Sequence, residues 1–150
     1  MDVPEHLHDY FVNGNSYCCE KTTADELGAK YAITDSEGTG WYVRDLPLDK
    51  YHREDGPAIE RSDGYKAWYK FGKRHRIGGP AIISTGRDEY YVDGKLHRED
   101  GPAVEHVHGD CYWFYHGEEI KIPLIYSEKA ALEFFKLRIL ELKVQSVLDS

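Results

Sequence analysis

The chain has 150 residues, 41% of them hydrophobic, and a formal net charge of −8. That length supports one domain with its own core, and the acidic balance disfavours nonspecific binding to nucleic-acid phosphates. No stretch approaches the ~20 apolar residues of a membrane span. Three cysteines without a Cys-x-x-Cys pair argue against a disulfide framework or zinc knuckle and for a cytoplasmic protein.

Residues 1–30 read as an N-terminal cap. Met1-Asp2-Val3-Pro4-Glu5 has neither a basic start nor an apolar run, so no signal peptide is expected. Tyr10-Phe11-Val12 before Asn13-Gly14 reads as one strand, followed by a short helix over 23–27 with Thr22 as its cap.

Residues 31–119 are a repeat array. His52-Arg53-Glu54-Asp55-Gly56-Pro57-Ala58 returns unchanged as His97-Arg98-Glu99-Asp100-Gly101-Pro102-Ala103, with His75-Arg76-Ile77-Gly78-Gly79-Pro80-Ala81 as a worn copy between them. The spacings are 23 and 22 residues, a period that marks stacked supersecondary units. Gly64, Gly86 and Gly109 form one turn series and Gly72, Gly94 and Gly117 another, each 8 residues later. Between them lie aromatic runs of strand length, 65–70, 87–92 and 110–115. Pro57, Pro80 and Pro102 each open a second short apolar run, at the strand position where a missing N–H breaks no ladder bond. One unit is therefore strand, tight turn, strand, charged loop. Ala32-Ile33-Thr34 and Trp41-Tyr42-Val43 echo the strands; Asp45 replaces a turn glycine, and the last copy ends at Gly117 without its histidine. Both departures suit terminal units.

Trp68-Tyr69-Lys70-Phe71-Gly72-Lys73-Arg74-His75 and Tyr90-Tyr91-Val92-Asp93-Gly94-Lys95-Leu96-His97 carry an aromatic-x-x-x-Gly-Lys-x-His pattern that resembles a divergent MORN repeat over residues 50–119. The longer His-Arg-Glu-Asp-Gly-Pro-Ala form is similar to repeats of uncharacterised phage and large-virus proteins. The resemblance implies a phage or viral accessory protein, placed in the host cytoplasm, that blocks or redirects a host factor in takeover or counter-defence.

From Ser127, a reasonable N-cap, residues 127–148 lack Gly and Pro and read as a helix with two apolar stripes. Leu132, Phe135, Ile139 and Leu142 form one; Leu137, Leu140, Val144, Val147 and Leu148 form the other. Its length of roughly 32 Å matches a sheet roughly 38 Å wide, so one stripe is expected to lie across the array. The second is either covered by residues 1–30 or forms an interface with a second copy or another protein.

The expected fold is mainly β: an elongated single antiparallel sheet of stacked β-hairpin repeats closed by one long C-terminal amphipathic α-helix. Strand alternation puts Trp68, Tyr90 and Trp113 on one face and Tyr69, Tyr91 and Phe114 on the other. The second ladder is either buried by the charged loops or open as a binding surface. The His-Arg-Glu-Asp loops read as structural, because a catalytic site needs one convergent constellation and the middle copy has lost both acids. No catalytic residue, cofactor or metal is expected; the His6/His8 and His106/His108 pairs lack a positioned third ligand. The function read here is a non-enzymatic interaction module with a protein partner, self or host, using Leu137, Leu140, Val144, Val147 and Leu148. The alternative is a protein that sequesters a nucleotide-like anion through His52, Arg53, His75, Arg76, His97 and Arg98 beside Trp68, Tyr90 and Trp113.

Overall fold

A computed structural model describes residues 10–12, 15–19, 30–43, 50–123 and 127–150. The strands, in chain order, begin with β1 (Tyr10–Val12), β2 (Asn15–Cys19), β3 (Lys30–Thr34), β4 (Gly38–Val43) and β5 (Lys50–Tyr51). The repeats follow as β6 (Ile59–Arg61), β7 (Lys66–Ala67), β8 (Tyr69–Lys70) and β9 (Lys73–Arg74); then β10 (Ile82–Ile83), β11 (Arg87–Glu89), β12 (Tyr91–Val92) and β13 (Lys95–Leu96). The last copy has β14 (Val104–His106), β15 (Cys111–Tyr112), β16 (Phe114–Tyr115) and β17 (Glu118–Glu119), and the helix α1 spans Glu128–Leu148.

The fold is mainly β. Eleven strands make one antiparallel sheet in the order β1-β2-β3-β4-β6-β7-β10-β11-β14-β15, with β5 also paired to β4. Each aromatic run is divided in two: β8-β9, β12-β13 and β16-β17 form a second row of two-stranded pairs. The division falls at Trp68, Tyr90 and Trp113, whose backbones serve both rows. Trp68 donates its N–H to Ala81 O at 2.8 Å in the main sheet, while its carbonyl accepts from His75 N–H at 3.1 Å in the second row. Tyr90 repeats this with Ala103 and His97. Successive pairs of the second row are joined by Arg76 N–H to Tyr91 O and Gly94 N–H to Arg74 O, and again by Arg98 to Phe114 and Gly117 to Leu96. Ala58, Ala67, Ala81 and Ala103, all beside these divisions, are completely buried.

The unequal period has a local cause. The hairpins at Gly64 and Gly109 close with three residues and put glycine at φ 88° and 96°, whereas Ser84 N–H bonds Arg87 O across only Thr85-Gly86. The shorter middle turn removes one residue, and Gly86 does not take the positive φ of its counterparts.

Residues 1–30 contribute two strands where one is expected. β2 starts with Asn15-Ser16, which masks its strand character, yet it pairs with β1 on one side and β3 on the other. The helix expected over 23–27, its cap Thr22, the His6/His8 pair and Asp45 lie outside the described residues.

Helix α1 begins at Ser127, whose side chain accepts from Ala130 N–H at 3.4 Å. Phe135 is completely buried and Ile139 nearly so, in a cluster with Ile120 against Trp113, Tyr115, Ile122 and Leu142. The helix thus packs on the last copy and does not lie across the array as its length suggests. The other rings of the first ladder are already covered, which leaves Trp113 to receive it.

Candidate functional site

Each loop histidine braces the next hairpin turn. His52 Nδ1 accepts from Phe71 N–H at 3.3 Å, His75 Nδ1 lies 3.2 Å from Asp93 N, and His97 Nδ1 accepts from His116 N–H at 3.1 Å. Phe71, Asp93 and His116 have φ of 47°, 50° and 49°, each followed by glycine at positive φ, the pattern of a two-residue type I′ turn. Non-glycine residues resist that conformation, and the imidazole supports it by bonding the amide and, for Phe71 and His116, by stacking at a ring separation of 4.2 Å. The accepting Nδ1 must be unprotonated, so the neutral ring carries its proton on Nε2. At His75, Asp93 Oδ1 also lies at 2.9 Å, and the protonated ring would donate there instead. Among the described residues, buried His52 has no hydrogen-bond partner at Nε2; Glu54 Oε1 is 3.4 Å away but off hydrogen-bonding geometry. His97 is held below the ordinary histidine pKa by burial and then by His116, against a weaker opposing pull from Glu99.

Each loop arginine roofs an aromatic ring. Cζ of Arg53, Arg76 and Arg98 stands 4.0, 3.8 and 4.1 Å from the ring centroids of Trp41, Trp68 and Tyr90, a cation–π arrangement. Nη1 of each donates to the carbonyl of Pro57, Pro80 or Pro102. Gly56, Gly79 and Gly101 permit this approach, because a Cβ there would come within 2.9, 3.1 and 2.8 Å of the guanidinium carbon. Arg53 Nε also bonds Asp55 at 3.0 Å and Arg98 Nε bonds Asp100 at 2.7 Å. Arg98 is partly buried, and burial is the largest single influence on it, yet the bond to Asp100 together with the nearby Tyr90, Glu105 and Asp100 charges outweighs that cost and raises its pKa; the same bond holds Asp100 below the usual carboxylate range. The ladder the sequence offers as a ligand grip is thus largely occupied by its own chain.

At the closing copy the pattern changes. Ile120 takes the histidine position, its N–H bonding Trp113 O at 2.8 Å as His75 bonds Trp68, and Phe135 from the helix covers Trp113 at 4.8 Å. The constant offset of 8 residues from Trp68 to Arg76 and from Tyr90 to Arg98 carries the stacking signal in sequence. Ile120 is marked in the same way, three residues after Gly117 as His75 is after Gly72 and His97 after Gly94.

The second ladder is half-buried. Tyr42 stacks on Tyr51 at 4.5 Å, Tyr51 meets Tyr69 in a tilted contact at 5.3 Å, and Arg74 bridges onward, donating to Tyr69 and Tyr91 hydroxyls at 3.4 and 3.1 Å. A cleft of about 460 Å³ opens between the first two charged loops; Arg53, Trp68, Lys70, His75, Arg76 and Ile77 are among its lining residues. His106 ends β14 while His108 sits in the following turn, which breaks the alternation that would put them on one face. Among the described residues no group of three His, Cys, Asp or Glu side chains gathers as a metal ion needs, and no helix is long and apolar enough to cross a membrane.

The second helix stripe is uncovered. Leu137, Leu140, Val144, Val147 and Leu148 are between 52% and 74% exposed. Compared with known proteins, the chain matches no family model, no curated protein and no solved structure.

Proposed function

We propose that the chain is a non-enzymatic interaction module and that its outer helix stripe pairs with a second copy of itself. The observation that carries this reading is the exposed apolar stripe on a helix already ordered by its other face. Leu137, Leu140, Val144 and Val147 follow at intervals of three, four and three residues, the spacing of a coiled-coil seam. In a parallel pair, Lys136 and Glu141 flank that seam at positions that meet across the two helices. Docking on the array lowers the ordering cost that so short a seam would otherwise face. The MORN-like kinship, and the phage or viral accessory role against a host factor that it implies, belong to the same proposal; the assembled array would be the surface offered to that host protein in the cytoplasm.

Sedimentation velocity tests the self-pairing. The native chain is expected to sediment as a dimer and Leu140→Glu as a folded monomer with its helical signal intact, its melting temperature lowered only by the lost association. A monomeric native chain, or a variant that unfolds, would overturn it. The alternative of a sequestered anion loses Arg53 and Arg98 to Asp55 and Asp100, and only the middle copy retains an observation in its favour.

A further inference from the structure

The middle copy has lost three acidic positions. Ile77 stands where its neighbours have Glu54 and Glu99, Gly78 where they have Asp55 and Asp100, and Ile83 where they have Glu60 and Glu105. In those neighbours two carboxylates meet each guanidinium: Asp100 at 2.7 Å and Glu105 at 3.0 Å for Arg98, Asp55 at 3.0 Å and Glu60 at 3.7 Å for Arg53. Arg76 keeps the same perch over Trp68 and the same bond to a proline carbonyl. Among the described residues, no carboxylate lies within 4.0 Å of its nitrogens, nor of Lys70, which lines the same cleft. A cation held beside an aromatic ring, with its counter-charge deleted, sits in an opening on a chain that is otherwise acidic.

We propose that this cleft recognises an acidic side chain of a protein partner. The incoming carboxylate would take the Nε edge of Arg76, where Asp55 and Asp100 sit on the neighbouring guanidiniums, and Lys70 would add a second cation. A planar guanidinium fork matches a carboxylate in charge and shape. Ile77, 75% exposed at the position of two glutamates, offers an apolar contact to the residue beside that acid. The carboxylates of Glu54 and Asp55 also line the cleft. They disfavour a dianionic phosphate more than a single carboxylate, because repulsion scales with the charge brought in. The proposal is independent of the helix seam.

The probe is a blocked acidic peptide, acetyl-Leu-Asp-Leu-Glu-Leu-amide, titrated into the ¹⁵N-labelled full chain while arginine Nε–H resonances are followed. A saturable shift is expected at Arg76, with Arg53 and Arg98 unmoved because their carboxylates are already in place. The Asn/Gln version of the peptide is expected to leave Arg76 unmoved. Ile83→Glu, which restores the internal carboxylate, should weaken peptide binding about tenfold or more, the scale of one charge-assisted hydrogen bond. Arg76→Lys, which keeps the charge and loses the fork, should weaken it as well, and it decides the matter if Ile83→Glu fails to fold. No saturable shift at Arg76, equal binding of the neutral peptide, undiminished binding by the Lys variant, or inorganic phosphate binding as tightly as the peptide would each overturn the proposal.

Discussion

The interior copies and the closing copy share a backbone and differ in what fills it. His75 N–H to Trp68 O, His97 N–H to Tyr90 O and Ile120 N–H to Trp113 O are the same bond in three places. In the interior, the side chains around it are a histidine that braces the next turn and an arginine that roofs the ring. At the close, no further hairpin turn follows among the described residues, so Ile120 needs no acceptor, and a phenylalanine from the helix covers the ring. The difference teaches that the loop histidine answers to the next copy, while the arginine answers to its own loop and to the ring before it. Where that neighbour is missing, the same backbone accepts an apolar seal.

The sharpest way to break this contrast is to remove the seal. Phe135→Ala is expected to cost about 3–5 kcal/mol, the range for a large ring lost from a packed core, read by denaturant melts; a loss below ~1 kcal/mol, ordinary for a surface change, would show that the helix is held by something else. Converting the close into an interior copy comes next. Ile120→His places a ring nitrogen under the helix, with no turn amide to bond, and should cost about 1–3 kcal/mol. If stability is unchanged, the apolar choice at this position carries no weight.

The smallest effect tests the interior. The fold depresses the His97 pKa, chiefly by burial, so the unfolded chain takes up its proton first. The stability linked to this group is therefore full above the ordinary histidine pKa of about 6.5 and is lost as pH falls toward the depressed folded value. Melting temperatures from about pH 7 to about pH 5 should fall more for the native chain than for His97→Asn, which keeps an acceptor without that titration. Equal slopes would remove His97 from the account.

Much of the architecture was legible because a repeat is a strong signal. The Asp93-Gly94 hairpin turn, the Ser127 cap and the two stripes of the helix are all local features that the chain spells out residue by residue. What was not legible is long-range. Nothing in β2 announces that its polar start will be paired on both edges, and helix length alone could not say that Trp113 was the ring left for Phe135. The candidate site was legible in residue type and in the local pairing of its charged loops, but not in which ring each arginine roofs. Arg53 and Arg98 look like ligand grips until Asp55, Asp100 and the proline carbonyls are seen to hold them.

The bonds that join the second row run from each copy to the one that follows it, as from Arg76 to Tyr91 and from Arg98 to Phe114. A chain built this way can change its length without redesign. Excising residues 75–96 would splice Arg74 to His97, bring Phe114 to the carbonyl position that Tyr91 held, and leave the helix cap untouched. Gene-level gain or loss of a unit therefore alters the reach of the protein in steps, and it would be inherited as a shorter or longer ruler with the same end-stop.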